Sequence, residues 1–339
     1  MPDLRALREL IEAAYRPNDY PALAWQAQAW ETTRPLAGIS IIDASPVFRN
    51  TLTKYLPLLV AGADLTVALS PLLPNDPDTV GVLDRLGIPV IAAHYAAHFD
   101  VVIDCAGVLA DCDSRLGYVE LTKSGQHVYQ GWDQTVFLVD DSEVKLIETV
   151  LGTGDGFVRG LAHFGYDDLT DRTIVVFGGG KVGRGAALGA RAAGARVIIV
   201  DPDPAVSAPA GCELVPEPVD LDDVWCVVSA TGVAGALASL TDALRDSGAV
   251  LANLGAEDEF GPAMPANRVL NGKAPVNFAL TEPTQLRFID PTMALDNACA
   301  LELLRGGYPP GLNPPPRHVE DEILKIWETT HPSSDDRPD

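Results

Sequence analysis

The feature that most constrains the fold is a glycine-rich segment, IVVFGGGKVG, at residues 174–183. Gly178, Gly180 and Gly183 match the pattern G-x-G-x-x-G, with a strand-like apolar run before it and a helix-length pattern after it. Asp201 ends the next apolar run, where such a site places an acid. A lone match would be weak, but this combination predicts a βαβ unit that binds a dinucleotide.

Each glycine of the pattern has its own physical role in such a site. The first permits a tight turn, the second lets the backbone approach a pyrophosphate, and the third lets the helix pack on the strand. Lys181 and Val182 begin the helix, whose free N–H groups receive the pyrophosphate. Asp201 would accept hydrogen bonds from the ribose hydroxyls and repel a 2′-phosphate, so the predicted cofactor is NAD rather than NADP.

Two later turns are expected to face the same cofactor, because ligands of open α/β sheets bind at the carboxyl ends of strands. The residues concerned are Thr231 and Gly232 in the first turn, and Asn253, Leu254 and Gly255 in the second. Ordinary strand-to-helix turn chemistry would account for these residue types equally well. The sequence leaves both interpretations open.

Strand-like runs alternate with helix-length patterns along almost the whole chain, which is typical of parallel α/β architecture. The runs are residues 39–43, 65–70, 88–92, 101–104, 136–139, 173–177, 197–201, 224–229, 250–253 and 274–278. We therefore predict two doubly wound parallel-sheet, Rossmann-like domains with a cleft between them. The expected parts are a substrate and catalytic domain at 1–150, completed by 291–330, an NAD-binding domain at 151–290, and a disordered tail at 331–339.

Three further segments have recognisable patterns. Asp141 and Ser142 are expected to cap a helix that runs toward Gly152. Residues 292–307 are typical of a helix that stops at glycine, and residues 309–318 of a stiff proline-rich connector.

Composition limits the classes of partner. The chain has 339 residues, of which 47% are hydrophobic and 21% charged, which suits about two globular domains. Its net charge of −23 argues against nucleic acid and anionic membrane surfaces as partners, and a small-molecule substrate is expected instead. No apolar run reaches the roughly 18 residues that span a bilayer, and the N-terminus has an amphipathic helix pattern rather than a signal peptide. A cytoplasmic location is therefore expected.

Cysteine and histidine usage predicts no metal site. The five cysteines have no C-x-x-C spacing, which argues against a disulfide framework and a structural zinc. His94 and His98 have the i, i+4 spacing that could place two ligands on a helix face. They lack the glutamate of the H-E-x-x-H motif and lie between two strand-like runs, so no metal ligand is assigned.

Several segments together resemble the S-adenosylhomocysteine hydrolase family. Residues 175–204, VVFGGGKVGRGAALGARAAGARVIIVDPDP, resemble its cofactor segment, and VDDSEVKLIETVLGTGDG at 139–156 is similar to another of its segments. Weaker similarities are RPLAGISI at 34–41, VVSATG at 227–232, ANLGAED at 252–258 and PVNFA at 275–279. The resemblance covers about residues 30–325 and implies the family's α/β fold and a bound NAD.

The resemblance also implies a chemistry. Enzymes of this family oxidise a sugar hydroxyl to a ketone with bound NAD, eliminate a thiol from the acidified carbon, add water, and reduce the ketone again. The first step needs a base for the hydroxyl proton, and the next steps need a second acid or base. Lys145 falls on the catalytic lysine of the family, although a solvated helix lysine is the alternative.

Other site residues follow from the same resemblance. Glu148 could share a helix face with Lys145. Asp104 and Glu120 approximate family acids at strand ends, and each would serve either catalysis or plain loop structure. Thr153, in the Gly-Thr-Gly run, and Asn277, in PVNFA, are implied contacts of the cofactor.

The departures from the family concern the substrate. Pro46, Val47 and Phe48 replace a His-Met-Thr run, Ala256 replaces a histidine, and Glu282 precedes Pro283 where the family has histidine-proline. The residues that bind NAD in the family are thus kept, and those that bind adenosine are mostly replaced.

We therefore expect an NAD-dependent enzyme that acts on a small polar substrate other than S-adenosylhomocysteine, by oxidation of a carbinol or amine carbon. Whether the oxidation is transient stays open. The alternatives are a conventional dehydrogenase that releases NADH and an inactive NAD-binding interaction protein. The resemblance implies a homo-oligomer, with a dimer favoured because the sequence lacks the family's basic C-terminal tail.

Overall fold

The structure is a computed structural model, which describes residues 2–218 and 220–331. Within this range the chain divides into two compact units. Unit 1 contains the described residues up to Lys145 and those from Leu286 onward, and unit 2 contains Leu146–Gln285. The assignment of a substrate domain at 1–150 and 291–330 and an NAD domain at 151–290 stays a prediction, and the predicted tail lies outside the described residues except for His331.

The strands of the described residues are β1 Ser40–Asp43, β2 Asp64–Leu69, β3 Val90–Ala92, β4 His98–Asp104, β5 Asp113–Glu120, β6 Thr135–Leu138, β7 Thr173–Phe177, β8 Arg196–Val200, β9 Glu213–Val215, β10 Cys226–Ser229, β11 Val250–Asn253 and β12 Gly311–Asn313. The α-helices are α1 Leu4–Ala14, α2 Pro21–Thr33, α3 Thr51–Val60, α4 Pro77–Arg85, α5 Lys123–Gln126, α6 Val144–Leu146, α7 Thr153–His163, α8 Lys181–Ala192, α9 Thr241–Asp246, α10 Leu286–Arg305 and α11 Arg317–Thr330. None of these helices is long and apolar enough to cross a bilayer.

Unit 1 is built on a seven-stranded parallel sheet with the order β12-β6-β5-β4-β1-β2-β3. Its central strands are apolar and buried on both faces, as parallel sheets require. Helices α2, α3 and α10 pack together, and α10 also packs against β4 and β5. The carboxyl ends of β1, β4 and β5 therefore meet at one edge, with Asp43, Asp104 and Glu120 as the last residues of these strands.

Unit 2 is built on a five-stranded parallel sheet with the order β11-β10-β7-β8-β9. The first strand of the unit, β7, is central, and the chain winds outward from it in both directions, as in a doubly wound fold. Apolar clusters cover both faces. The predicted α/β fold class with parallel Rossmann-like sheets is confirmed.

Glycines bring α7 and α8 of unit 2 into close contact. A Cβ on Gly154 would lie 2.6 Å from the carbonyl oxygen of Gly185, and a Cβ on Gly189 would lie 2.4 Å from that of Gly154. These distances are far below van der Waals contact, so only glycine permits this approach.

Two local predictions are wrong, and both concern proline-containing segments. Residues 274–278 form no strand: they contain a single β-bridge at Pro275 and a 3₁₀ turn at Val276–Ala279, since proline cannot donate to a ladder. The predicted connector at 309–318 contains β12, which pairs with β6. Elsewhere, His94 lies in a 3₁₀ turn and His98 begins β4, so these two histidines share no helix face.

The helix that was predicted to run toward Gly152 does not end there. Gly152 has helical φ and ψ of −64° and −38°, and the chain continues through the π-helical segment Ile147–Gly152 into α7. One helix start differs, since α10 begins at Leu286 instead of 292. One strand, β5, was not among the predicted runs, because charged residues interrupt its first half.

Candidate functional site

The loop after β7 has two positions that only glycine can occupy. Gly178 has a φ of +98°, and a Cβ added to it would lie 2.4 Å from the carbonyl oxygen of Ala230. A Cβ on Gly183 would lie 1.8 Å from the carbonyl oxygen of Gly178. These two glycines thus give the tight turn and the close helix–strand packing of a dinucleotide-binding loop.

Gly180 differs from these two because it faces open space. A Cβ on Gly180 would meet no heavy atom of the described residues within 4 Å. Gly180 is also the N-cap of α8, whose first turn begins with Lys181 and Val182. The first N–H groups of an α-helix have no intrahelical partner, so this end of α8 presents donors suited to an anionic group.

Asp201 is held against the loop at the carboxyl end of β8. Its Oδ2 accepts the N–H of Gly179 at 2.7 Å, and its Oδ1 accepts the N–H of Asp203 at 2.9 Å. The carboxylate is half-buried and still has lone pairs for further donors. Its orientation is therefore fixed before any ligand binds.

A cavity of about 250 Å³ lies beside this loop within unit 2. Lys181 and Arg184 of α8 line one side of it, and residues 205–207 line another. The Nε of Arg184 is buried and has no hydrogen-bond partner among the described residues. Buried donors are rarely unpaired, so this guanidinium is suited to an acceptor on a ligand. The sequence analysis missed Arg184, although its position three residues after Lys181 was a usable signal.

The carboxylate of Glu259 organises the turn after β10. Glu259 is fully buried and accepts the N–H groups of Thr231 and Gly232 at 2.8 and 2.7 Å, together with the hydroxyls of Ser229 and Thr231. These turn N–H groups are directed at Glu259, and contact of Thr231 and Gly232 with a cofactor stays a prediction. The sequence analysis missed Glu259 because its partners lie about thirty residues earlier in the chain.

The turn after β11 is organised by Asn253. Its Nδ2 donates to the carbonyl oxygens of Gly255, Glu257 and Lys273, and its Oδ1 accepts the N–H of Gly255 at 3.1 Å. Leu254 is buried between them. These residues therefore shape the end of β11, and their contact with a cofactor stays a prediction.

The remaining predicted cofactor contacts differ in their surroundings. Thr153 is half-buried at the start of α7. Asn277 lies in the 3₁₀ turn Val276–Ala279, and its Oδ1 is buried with no partner among the described residues. A buried unpaired acceptor of this kind fits an N–H donor on a ligand, such as a carboxamide.

Lys145 in unit 1 is 3% exposed, so it is not a solvated helix lysine. Its backbone N–H donates to Oγ of Ser142 at 3.0 Å, the cap expected from the sequence. Glu320 of α11 accepts the N–H of Glu143, which also fixes this helix start. Glu148 is half-buried and lies in unit 2, in the π-helical segment Ile147–Gly152.

Asp104 and Glu120 are paired in register at the ends of β4 and β5, and both are fully buried. Asp104 accepts the N–H groups of Cys105 and Leu109 and the hydroxyl of Tyr129. Burial, together with the charge of Glu120, raises the pKa of Asp104 to about 7. This carboxyl therefore changes its charge near neutral pH.

The four hydrogen bonds to Glu120 form a cage. They come from the N–H groups of Ala106, Gly107 and Thr122, at 2.7 to 3.1 Å, and from the Thr122 hydroxyl at 2.6 Å. Burial raises the pKa of Glu120, although these bonds oppose the rise. The carboxylate holds the loop after β4 onto the end of β5.

A second buried network in unit 1 was not predicted. Nζ of Lys54 donates to Asp43 Oδ2, to Ser45 Oγ at 2.6 Å and to Asp296 Oδ2 at 2.9 Å. All three charged side chains are 0 or 1% exposed. Burial alone would lower the pKa of Lys54, but the two carboxylates outweigh it and raise that pKa, so the ammonium stays charged. Lys54 and Asp296 are 242 residues apart, which is why the sequence pattern did not show the pair.

Comparisons with known proteins agree with this geometry. Residues 166–262 match a family described as "Putative NAD(P)-binding". Adenosylhomocysteinase from Thermosynechococcus vestitus is 25% identical and aligns over 94% of this chain and 88% of its own length. S-inosyl-L-homocysteine hydrolase from Methanopyrus kandleri is 26% identical over 73% of this chain and 66% of its own length.

The chain is similar to adenosylhomocysteinases over most of its length. The predicted resemblance to this family is thus confirmed, and so is the prediction of a nicotinamide dinucleotide as cofactor. Among solved structures, a dipicolinate synthase component from Bacillus halodurans is similar in fold, with a TM-score of 0.53 and 11% identity over 79% of this chain and 99% of its own. The relatives of this chain are enzymes, which supports an enzyme here.

Proposed function

We propose that this protein is an NAD-dependent enzyme that oxidises a carbinol or amine carbon of a small polar substrate other than S-adenosylhomocysteine. Lys145 is the base in this proposal. The observation that carries it is the burial of Lys145, 3% exposed, in a chain whose dinucleotide loop is intact. Burial of a lysine costs free energy, which supports a specific role for this one.

The residues of unit 2 fit NAD. The open face of Gly180 leaves room for a pyrophosphate, and the fixed carboxylate of Asp201 suits the adenosine ribose hydroxyls and disfavours a 2′-phosphate. The unpaired Oδ1 of Asn277 fits the carboxamide of nicotinamide. When bound, NAD supplies the acceptor for the hydride that leaves the substrate carbon.

Lys145 would take the proton that the substrate loses in this oxidation. As hydride leaves the carbon, the hydroxyl or amine proton must pass to a base within hydrogen-bond reach. The side chain of Lys145 is 3% exposed, which keeps this amine out of bulk water. The cap at Ser142 fixes the helix that carries it.

Of the other predicted acids, we assign the partner role to Glu148. Asp104 and Glu120 are occupied by backbone N–H groups of the loop after β4, which supports a structural role for both. Glu148 is half-buried and follows Lys145 by three residues in the chain.

A different substrate is supported by the replaced positions. Pro46 is half-buried and Ala256 is exposed, and neither has a polar side chain, so neither can replace a histidine of the family pattern. The name of the Methanopyrus kandleri relative, an S-inosyl-L-homocysteine hydrolase, indicates that substrates differ among similar proteins.

One preparation tests the proposal. The purified protein is denatured and its nucleotide identified by mass spectrometry, and the intact protein is screened with polyols and amino alcohols for absorbance of reduced nicotinamide. We expect bound or titratable NAD, and a substrate whose oxidation falls at least a hundredfold in Lys145→Ala while NAD binding persists, because one acid–base group contributes 10²–10⁴-fold. Equal turnover in Lys145→Ala would contradict the catalytic assignment, and release of NADH in every turnover would favour the conventional dehydrogenase.

A further inference from the structure

The cavity beside the dinucleotide loop is lined by positive charge, although the chain as a whole is strongly acidic. The chain has 47 acidic residues against 24 lysines and arginines, which gives the net charge of −23. The described residues that line the cavity include Lys181 and Arg184 but no aspartate or glutamate. Gly179, Gly180 and Ser207 also line it. Such a lining favours an anionic ligand over a cationic one.

The cavity has room for a group of the size of a pyrophosphate. Its volume is about 250 Å³. A molecule of liquid water occupies roughly 30 Å³, and a cavity of about 150 Å³ is large enough for benzene. Leu146, Val150 and Val206 form apolar parts of the lining. Because apolar walls lower the local dielectric constant, a cation and an anion attract each other more strongly there than in water.

Arg184 differs from the other half-buried arginines of unit 2 in its hydrogen bonding. Arg159 donates to Asp155 and to two backbone carbonyl oxygens, and Arg268 donates to several backbone carbonyl oxygens. The Nε of Arg184 is also buried, but it has no acceptor among the described residues. Buried donors are nearly always paired in folded proteins. The guanidinium of Arg184 is therefore suited to an acceptor that a ligand brings.

The position of Arg184 on α8 places its side chain near the start of that helix. The N–H of Arg184 donates to the carbonyl oxygen of Gly180 at 2.8 Å, so residue 184 closes the first turn. Side chains of a helix lean toward its N-terminus and cover the turn before their own Cα. Lys181 and Arg184 are three residues apart and share one face. The unpaired Nε and the free N–H groups of the first turn thus belong to the same end of α8.

The pyrophosphate of a dinucleotide has the geometry that this end of α8 requires. The Nε and one Nη of a guanidinium form two parallel donors in a plane, which match two oxygens of one phosphate group. The N–H groups at the start of the helix are donors for other oxygens of the same anion. Gly180, whose added Cβ would meet no described heavy atom within 4 Å, leaves the approach open.

We propose that Arg184 is a binding residue for the pyrophosphate of NAD: its guanidinium donates to the anion from the cavity, beside the N–H groups at the start of α8. This inference rests on the NAD site of the proposed function and not on the role of Lys145. In the glycine pattern itself, backbone groups hold the phosphates. Here a side-chain cation contributes as well, so cofactor affinity depends on residue 184.

Arg184→Gln tests the guanidinium by titration calorimetry. The purified protein, freed of nucleotide with charcoal, is titrated with NAD and with ADP-ribose, which has the pyrophosphate but no nicotinamide. We expect the affinity for both ligands to fall at least about tenfold, because a charge-assisted hydrogen bond is lost. Arg184→Lys keeps the charge without the paired donors and should lose less. Unchanged affinity for NAD, or a loss for NAD without one for ADP-ribose, would overturn the proposal.

Urea denaturation separates binding from a structural role of Arg184. Its Nε donates to no described residue, so Arg184→Gln should keep the wild-type midpoint without NAD and lose part of the increase that NAD gives. A clearly lower midpoint without NAD, or a variant that does not fold, would show that the guanidinium serves the protein itself and would overturn the proposal.

Arg191→Gln is the matched control. Arg191 is exposed in the last turn of the same helix, and the substitution removes the same charge. Its affinity for NAD and for ADP-ribose should stay at the wild-type value. A loss equal to that of Arg184→Gln would mean that only the overall charge matters, which contradicts the assignment of residue 184.

These outcomes are separable from the proposed reaction. Reduced NAD affinity in Arg184→Gln together with full turnover in Lys145→Ala would retain Arg184 as a cofactor residue and remove Lys145 as the base. Wild-type NAD affinity in Arg184→Gln together with lost turnover in Lys145→Ala would do the reverse.

Discussion

The three glycines of the dinucleotide loop, Gly178, Gly180 and Gly183, are glycine for different physical reasons. At positions 178 and 183 the backbone excludes any side chain, because an added Cβ would lie 2.4 and 1.8 Å from carbonyl oxygens of the protein itself. At position 180 the protein excludes no side chain, because no heavy atom of the described residues lies within 4 Å of an added Cβ. Close approach of a ligand to the backbone would account for glycine at 180.

This difference gives a prediction for Gly180→Ala. Gly180 has a φ of −68°, which alanine adopts without strain, so the free energy of unfolding should change by less than about 0.5 kcal/mol. The methyl group would project toward the site of the pyrophosphate, and the affinity for NAD should fall at least about tenfold, or about 1.4 kcal/mol. Titration calorimetry and urea denaturation measure the two effects.

Gly183→Ala is the control for that experiment. Its Cβ would overlap the carbonyl oxygen of Gly178, so this variant should lose about 1–3 kcal/mol of stability. Unchanged NAD affinity in Gly180→Ala would mean that the cofactor does not approach α8 at this point.

At the scale of elements, the contact of α7 with α8 stabilises the helix that follows the cofactor loop. The carbonyl oxygen of Gly154 would lie 2.4 Å from a Cβ on Gly189, and that of Val150 equally close to one on Gly185. The helix that begins at the dinucleotide loop is therefore seated by backbone-to-backbone contact with α7 and the segment before it.

Gly189→Ala should separate these helices. We expect a loss of about 1–3 kcal/mol in the stability of unit 2, because an added methyl group in a packed contact forces the backbone to move. Gly248→Ala is the matched control, since its Cβ would meet nothing within 4 Å. Chemical denaturation followed by the fluorescence of Trp225, the tryptophan of unit 2, reports the change, and equal stability of the two variants would show that the crossing is not tight.

The elements also show why some predictions failed. The strand β12 is three residues long and lies among prolines, so its pairing with β6 depends on a partner strand that is distant in the chain. The predicted strand at 274–278 contains an apolar run but includes Pro275, and a turn forms instead. Local patterns do not distinguish these cases, because sheet pairing is a non-local interaction.

At the scale of the whole molecule, buried carboxyls should make stability depend on pH. Burial raises the pKa of Asp290 to about 7, and burial with the charge of Glu120 does the same for Asp104. Between the ordinary value of 3.8 and pH 7 the folded state therefore binds more protons than the unfolded state. The contribution is fully present below about pH 4 and is lost as the pH rises through about 7.

We thus expect the free energy of unfolding to decrease from about pH 4.5 to pH 7.5 by a few kcal/mol, and the net charge of −23 adds self-repulsion in the same direction. Urea denaturation at several pH values measures the slope. Asp290→Asn should reduce it. Asp100→Asn should not, because Arg115 and Ser40 lower the pKa of Asp100 and its contribution changes below about pH 4. A stability that rises across this range would refute the expectation.

The sequence by itself determined the dinucleotide site and the fold class. The evidence for both lies in local patterns: the glycine spacing at 178, 180 and 183, the acid at 201 and the alternation of apolar runs. Such patterns reflect backbone geometry and burial, which are decided over a few residues. The resemblance of residues 139–156 to a known family added Lys145, which the structure buries.

Only the tertiary structure decided which polar groups share an environment. Glu259 closes the turn after β10, and Lys54 joins Asp43 to Asp296 across 242 residues. Beside the cofactor loop, the Nε of Arg184 has no partner among the described residues. No local pattern marks these residues, because a charge becomes buried and paired only when distant elements pack around it. That is the physical reason why the sequence identified the cofactor, whereas the surroundings of the proposed base came from the fold.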